Sequence, residues 1–249
     1  MHIAERISRL GTETAFEVLV RARALEAQGK NIVHLEIGEP DFDTPSNIIE
    51  TAKNALDNGY THYGPSAGLP EAREAVAEYI NKTRNYSLYN ANEIVITPGA
   101  KPILFYGLMA TIDPGDEVIY PNPGFPIYES MINFLGGVPI ALPLQESKEF
   151  RFDIADLEAR ITPKTRMLII NTPQNPTGGI LTTEDLQAIA ELAVKHDFIV
   201  LSDEIYSQIT YDGFTNDTIT RFDGMKERTI LLDGFSKTFA MTGWRIGYA

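Results

Sequence analysis

From about residue 30 onward, short apolar runs alternate with amphipathic stretches, and this alternation limits the fold more than any other feature of the chain. The runs are "IVHLEI" (32–37), "EIVIT" (93–97), "EVIYP" (117–121), "VPIALP" (138–143), "RMLIIN" (166–171), "FIVLSD" (198–203) and "TILLDG" (229–234). Each has strand length and several are almost wholly apolar, as a strand buried on both faces must be. Between them, "SNIIETAKNALDNG", "LPEAREAVAEYINKT", "KPILFYGLMATI" and "TTEDLQAIAELAVKHD" space their apolar residues by three and four, which predicts helices. Ser46 and Thr182 or Thr183 are expected to begin two of them, with acidic residues in the first turn. The pattern predicts an α/β fold: a mostly parallel, seven-stranded-type sheet covered by helices on both faces. Residues 1–30, with "TAFEVLVRARALEAQGK", read as a helical lead-in to a larger unit over 31–249. The closing "WRIGYA" reads as the opening of a strand with no turn after it, so the chain is expected to be the front part of a longer protein.

In a doubly wound sheet, ligands collect at the C-terminal ends of the strands. The predicted strand ends carry "GEPDFDTP", "PGAKP", "NPGFPIY", "TPQNPTGG", "EIY" and "FSKTF". Gly, Asn, Asp, Tyr, Lys and aromatic residues together suit a site for a phosphate and a flat polar ring. "PGAKP" places a glycine just before a helix, where free backbone N–H groups form an anion site, although an ordinary strand-to-helix turn has the same look. The two X-Pro steps of "NTPQNPTGG" can hold Asn175 rigidly at the sheet edge. Asp203 ends an apolar strand, where a carboxylate is costly to desolvate without a cationic partner; a helix cap is its plainer role. Lys237 follows an apolar strand and sits between Phe235 and Phe239. Desolvation there lowers its pKa and frees the lone pair that a Schiff base requires, whereas most lysines are solvated. Arg245 offers a planar fork for a phosphate.

Charge narrows the field. With a net charge of −13 and a pI near 4.7, the chain repels nucleic acid and anionic membranes on average. It has no cysteine, hence no disulfide or thiolate metal site, and His2, His34, His62 and His196 have no metal-ligand spacing. Neither a Walker pattern nor G-x-G-x-x-G occurs. The charged N-terminal "MHIAERISRL" and the lack of a long apolar run predict a cytoplasmic protein.

"GEPDFDTP", "NPTGG", "SDEIY" and "SKTFAMTGWRIGYA", in this order, resemble the class I/II aminotransferases, fold-type-I enzymes that use pyridoxal 5′-phosphate (PLP), and most closely their aspartate aminotransferase-like subgroup. The resemblance covers essentially the whole chain. It implies that Lys237 forms the Schiff base and moves a proton, that Asp203 pairs with the protonated pyridine nitrogen, and that Tyr206 and Asn175 donate to the ring's phenolic oxygen. It further implies that Phe125 stacks on the ring, that Gly99, Ala100, Lys101 and Arg245 hold the phosphate, and that Gly38 meets the substrate α-carboxylate. Tyr63 resembles a tyrosine that reaches the neighbouring subunit's phosphate, which implies a homodimer. The substrates implied are an amino acid and a 2-oxo acid; Lys101 leans toward aspartate or glutamate and leaves alanine and aromatic amino acids open. Gly234 stands where the family often has Ser or Thr bonding the phosphate, so one such contact is expected to be missing. The resemblance implies a smaller C-terminal domain, with the arginine that clamps the substrate, that is expected to lie outside these 249 residues, and the chain alone is expected to transaminate poorly or not at all. A C–S lyase of the same fold and a non-catalytic PLP-binding module are the competing expectations.

Overall fold

The structure, a computed structural model, describes residues 2–11, 14–87 and 89–249, excepting the side chain of Thr14. Its frame is a seven-stranded sheet of β1 (Ile96–Thr97), β2 (Glu117–Asn122), β3 (Val138–Pro143), β4 (Thr165–Asn171), β5 (Ile199–Asp203), β6 (Thr229–Gly234) and β7 (Gly247–Tyr248). The spatial order is β1-β7-β6-β5-β4-β2-β3. Strands β3, β2, β4, β5 and β6 run parallel, and β7 lies antiparallel between β1 and β6. Five of the seven predicted runs become β2 to β6 with ends within one residue of those expected.

Two predicted strands need correction. Residues 32–37 form no strand; Val33 and Leu35 are 77% and 89% exposed, and among the described residues no strand pairs with the segment. An apolar run is only a candidate strand until a partner satisfies its backbone. Residues 93–97 contribute the two residues of β1, because Asn90 and Glu93 form a capping box that winds Ala91–Glu93 into a 3₁₀ turn. A third correction is partial: Ser46 begins its helix as expected, but Pro45 occupies the cap position and the first turn carries no acidic residue.

The remaining helices are α1 (Thr14–Glu26), α2 (Ser46–Asp57), α3 (Pro70–Arg84), α4 (Lys101–Thr111), α5 (Ile127–Leu135), α6 (Ile154–Glu158) and α7 (Thr183–His196). Thr182 caps α7 by accepting from Asp185 N, while the Asp185 side chain returns to Thr182 N. Strand pleating sends alternate side chains to opposite faces. Met167, Ile169, Leu201 and Leu232 accordingly pack with α4 and α5, whereas Leu168, Ile170 and Val200 pack with α6 and α7. Helix α3 covers Leu231 and Tyr248. The lead-in docks on α5: Arg9 donates to Asn133 O and Phe134 O at 3.0 and 3.2 Å, and Gly11 N donates to Ser130 Oγ at 2.9 Å. Among the described residues, no helix is long and apolar enough to cross a membrane.

Candidate active site

The strand order reverses direction of growth at β4: β2 and β3 extend to one side, β5 and β6 to the other. The loops after β2, β4, β5 and β6 converge at this switch point. Asp203, the last residue of β5, is 5% exposed. Tyr128 Oη donates to its Oδ2 at 2.7 Å and Ile205 N to its Oδ1 at 3.3 Å. Among the described residues it has no cationic partner, and burial pushes its carboxyl up to about 6, against the pull of the Tyr128 hydrogen bond. A buried carboxylate with donors but no cation fits a ligand that brings a positively charged ring nitrogen.

The turn after β4 is pinned by Asn171, whose Nδ2 donates to Asp203 O at 3.0 Å while its Oδ1 accepts from Asn175 N at 2.7 Å. The bonds Thr172–Pro173 and Asn175–Pro176 are cis. The half-buried Asn175 makes no side-chain hydrogen bond among the described residues, so its amide is free to meet a ligand.

Lys237 is half-buried. Its Nζ donates to Gly38 O at 2.5 Å and lies 5.8 Å from the centre of the Tyr206 ring. Burial lowers its pKa, and the nearby Glu39 carboxylate partly opposes that shift. The Tyr206 phenol is pushed up by burial and then by Asp203. The segment that supplies Gly38 is fastened to the loop after Lys237: Thr44 Oγ1 donates to Ala240 O at 2.5 Å, Thr242 Oγ1 to Glu39 Oε2 and Trp244 Nε1 to Thr44 Oγ1, both at 3.0 Å. A cleft of about 730 Å³ runs between these two segments.

Gly99 has φ +90°, and a Cβ there would lie 2.3 Å from Arg245 Nη2, so only glycine lets the guanidinium approach the start of α4. Ala100 caps that helix and Lys101 is its first residue. Its free N–H groups and the exposed Arg245 form an anion cradle. Arg245 is held by Nη1 donating to Thr242 O at 2.7 Å and precedes β7 in a left-handed conformation rather than opening the strand. Lys101 Nζ stands 5.8 Å from the Phe125 ring centre and 6.0 Å from that of Phe16. Phe125 meets Tyr128 edge-on at 5.8 Å. Gly234 is buried, and a Cβ there would lie 3.2 Å from Gly247 Cα and 3.3 Å from Ile246 O; the missing hydroxyl is tied to a close approach of β6 and β7. Tyr63, 108% exposed, stands outside this cluster.

Tyr128 and Asn171 escaped sequence reasoning. Tyr128 follows Phe125 by three residues, one helical turn, and that spacing inside "NPGFPIY" was the available signal. Among the described residues, no group of three or more His, Cys, Asp or Glu could hold a metal ion.

The mostly parallel sheet thus ends in a half-buried lysine, a buried carboxylate without a cation among the described residues, and an arginine close to a helix start. Residues 30–249 match the family described as aminotransferase class I and II, and the chain belongs to that family, whose cofactor is PLP. It is 50% identical over 223 residues to the aromatic-amino-acid aminotransferase 2 of Thermococcus litoralis, covering 89% of this chain and 57% of that protein. It is 49% identical to the aspartate aminotransferase of Pyrococcus abyssi, covering 88% of this chain and 56% of the relative. The solved aspartate aminotransferase from Thermus thermophilus with maleate superimposes with a TM-score of 0.95 at 40% identity, over 100% of this chain and 64% of that one. The chain thus spans less than two thirds of the length of each.

Proposed function

We propose that this chain forms the cofactor-binding part of a PLP-dependent aminotransferase that moves an amino group between an L-amino acid and a 2-oxo acid. The observation that supports this reading is the buried carboxylate of Asp203, without a cation among the described residues, at the end of β5, together with the half-buried Lys237 beside the Tyr206 ring and Arg245 close against Gly99 at the start of α4. Residues 31–249 constitute the large domain and residues 1–30 the lead-in that docks on it.

When bound, PLP supplies an electron sink for the pair left at the substrate Cα as its proton departs. Asp203 holds the cationic ring nitrogen, and Tyr128 keeps that carboxylate oriented. The backbone at Gly99, Ala100 and Lys101, with Arg245, holds the phosphate dianion. Asn175 and Tyr206 would donate to the ring's phenolic oxygen, and Phe125 would stack on the ring. Lys237 Nζ carries the proton from Cα; its burial favours the neutral amine that this transfer requires. Gly38, whose carbonyl accepts from Lys237 Nζ, would meet the substrate α-carboxylate.

Lys101, set between Phe16 and Phe125, supports a substrate with a side-chain carboxylate, aspartate or glutamate. The full exposure of Tyr63 supports a homodimer in which it serves the neighbouring site. The test is an absorbance spectrum of the full chain with PLP. A borohydride-reducible visible or near-ultraviolet band is expected, lost in Lys237→Ala; persistence of the same adduct in that variant rejects the site. Across a panel of amino donors, turnover of aspartate and glutamate is expected to exceed that of alanine.

A further inference from the structure

Behind the strand ends that carry Asp203 and Lys237 lies a charge cluster with no part in the roles above. Arg84, the last residue of α3, is buried. Its Nε and Nη2 donate to Glu204 Oε2 at 3.1 and 2.9 Å, and Nη2 also donates to Asp233 Oδ2 at 2.9 Å. Glu204 and Asp233 are 0% and 1% exposed. The other oxygens of these carboxylates are occupied too: Glu204 Oε1 accepts from Ser202 Oγ at 3.1 Å and Thr218 Oγ1 at 2.8 Å, and Asp233 Oδ1 accepts from Gly234 N at 2.7 Å. Burial pulls the guanidinium's pKa down, but the two carboxylates outweigh it, so Arg84 stays charged.

Such a cluster is a poor way to gain stability, because well-packed apolar side chains of similar volume commonly serve as well or better. Its position suggests another use. Glu204 directly follows Asp203, and the two side chains leave the end of β5 in opposite directions, Asp203 to Tyr128 of α5 and Glu204 to Arg84 of α3. Asp233 lies on β6 four residues before Lys237. One guanidinium therefore joins the backbone that carries the carboxylate to the backbone that leads into the lysine.

We propose that Arg84, Glu204 and Asp233 form a clamp that fixes the end of β5 against the end of β6, making Arg84 a positioning residue for the cofactor site. This rests on the reading of Asp203 and Lys237 given above. The planar fork is essential to it, since a lysine ammonium keeps the charge but cannot present a fixed pair of arms to both carboxylates.

The test is Arg84→Lys in the full chain, with Asp233→Asn, which keeps the shape of the second partner, as the alternative should the first fail to fold. In the cofactor-free protein, hydrogen exchange at the amides of Gly234 and Ile205 is expected to quicken while that of the β4 amides stays put. With PLP, affinity is expected to fall about tenfold or more, as small displacements of reacting groups do, and the pH midpoint of the reducible band to move. A purely structural role would lower the melting temperature and leave that midpoint in place. Parental exchange, affinity and midpoint in the folded variant overturn the clamp. An adduct that survives Lys237→Ala overturns the site assignment instead, and the exchange measurement still decides the clamp.

Discussion

Tyr128 and Asp203 lie 75 residues apart in sequence and meet at 2.7 Å, the phenol donating to a carboxylate that is otherwise left to a single backbone amide. One comes from the first turn of α5 and the other from the end of β5, so two separate elements must both be in place before the carboxylate is oriented.

Removing that phenol tests how much orientation matters. A hydrogen bond to a charged group contributes about 1.5–3 kcal/mol, or roughly ten- to a hundredfold in an equilibrium constant. Tyr128→Phe is expected to weaken PLP binding by that factor, measured by absorbance titration of the full chain. Parental affinity in the variant would show that Asp203 needs no such support.

Asp203 also leaves a mark on stability. Burial raises its carboxyl to about 6 in the folded protein, from the ordinary 3.8. Because the folded value lies above the unfolded one, the protonated carboxyl favours folding; that contribution is complete below about pH 4 and gone once pH passes about 6. Each unit of such a shift corresponds to about 1.4 kcal/mol. In the cofactor-free protein, the melting temperature of Asp203→Asn is expected to gain on that of the parent as pH rises from 4 to 7. Parallel profiles would place the Asp203 titration outside this window.

Gly234 is expected to resist the hydroxyl that many family members carry. A serine Cβ would press on Gly247 Cα, Ile205 Cδ1 and Ile246 O at 3.2–3.3 Å, two of them backbone contacts. Overpacking of this kind costs about 1–3 kcal/mol, and Gly234→Ser should show that loss in urea unfolding without tighter PLP binding. A gain in cofactor affinity at undiminished stability would contradict the close strand approach.

What the sequence made legible follows a physical division. Strands β2, β4, β5 and β6 are largely buried on both faces, so their composition alone marks them, as "RMLIIN" marks β4, while the half-exposed edge strand β3 is marked by its apolar "VPIALP". Lys237, Asp203, Asn175 and Arg245 sit in short motifs at strand ends, and the resemblance carried by those motifs named them. The exposed run 32–37 misled because apolar content says nothing about whether a neighbouring strand exists to pair with it. Arg84 stayed hidden for the opposite reason: it ends a charged helix and looks solvated, while its partners lie 120 and 149 residues further on. Local periodicity cannot encode such a contact.

The position of β7 sets an order of events during translation. This strand is wedged between β1 and β6, pairing Gly247 with both Thr97 and Gly234. A ribosome delivers it after the other six described strands, so a nascent chain can collapse around β2 to β6 while the gap beside β6 stays open. Arg245, two residues before β7, stands against Gly99 only when that gap is zipped shut, so the guanidinium's approach to the start of α4 waits on the last of these strands.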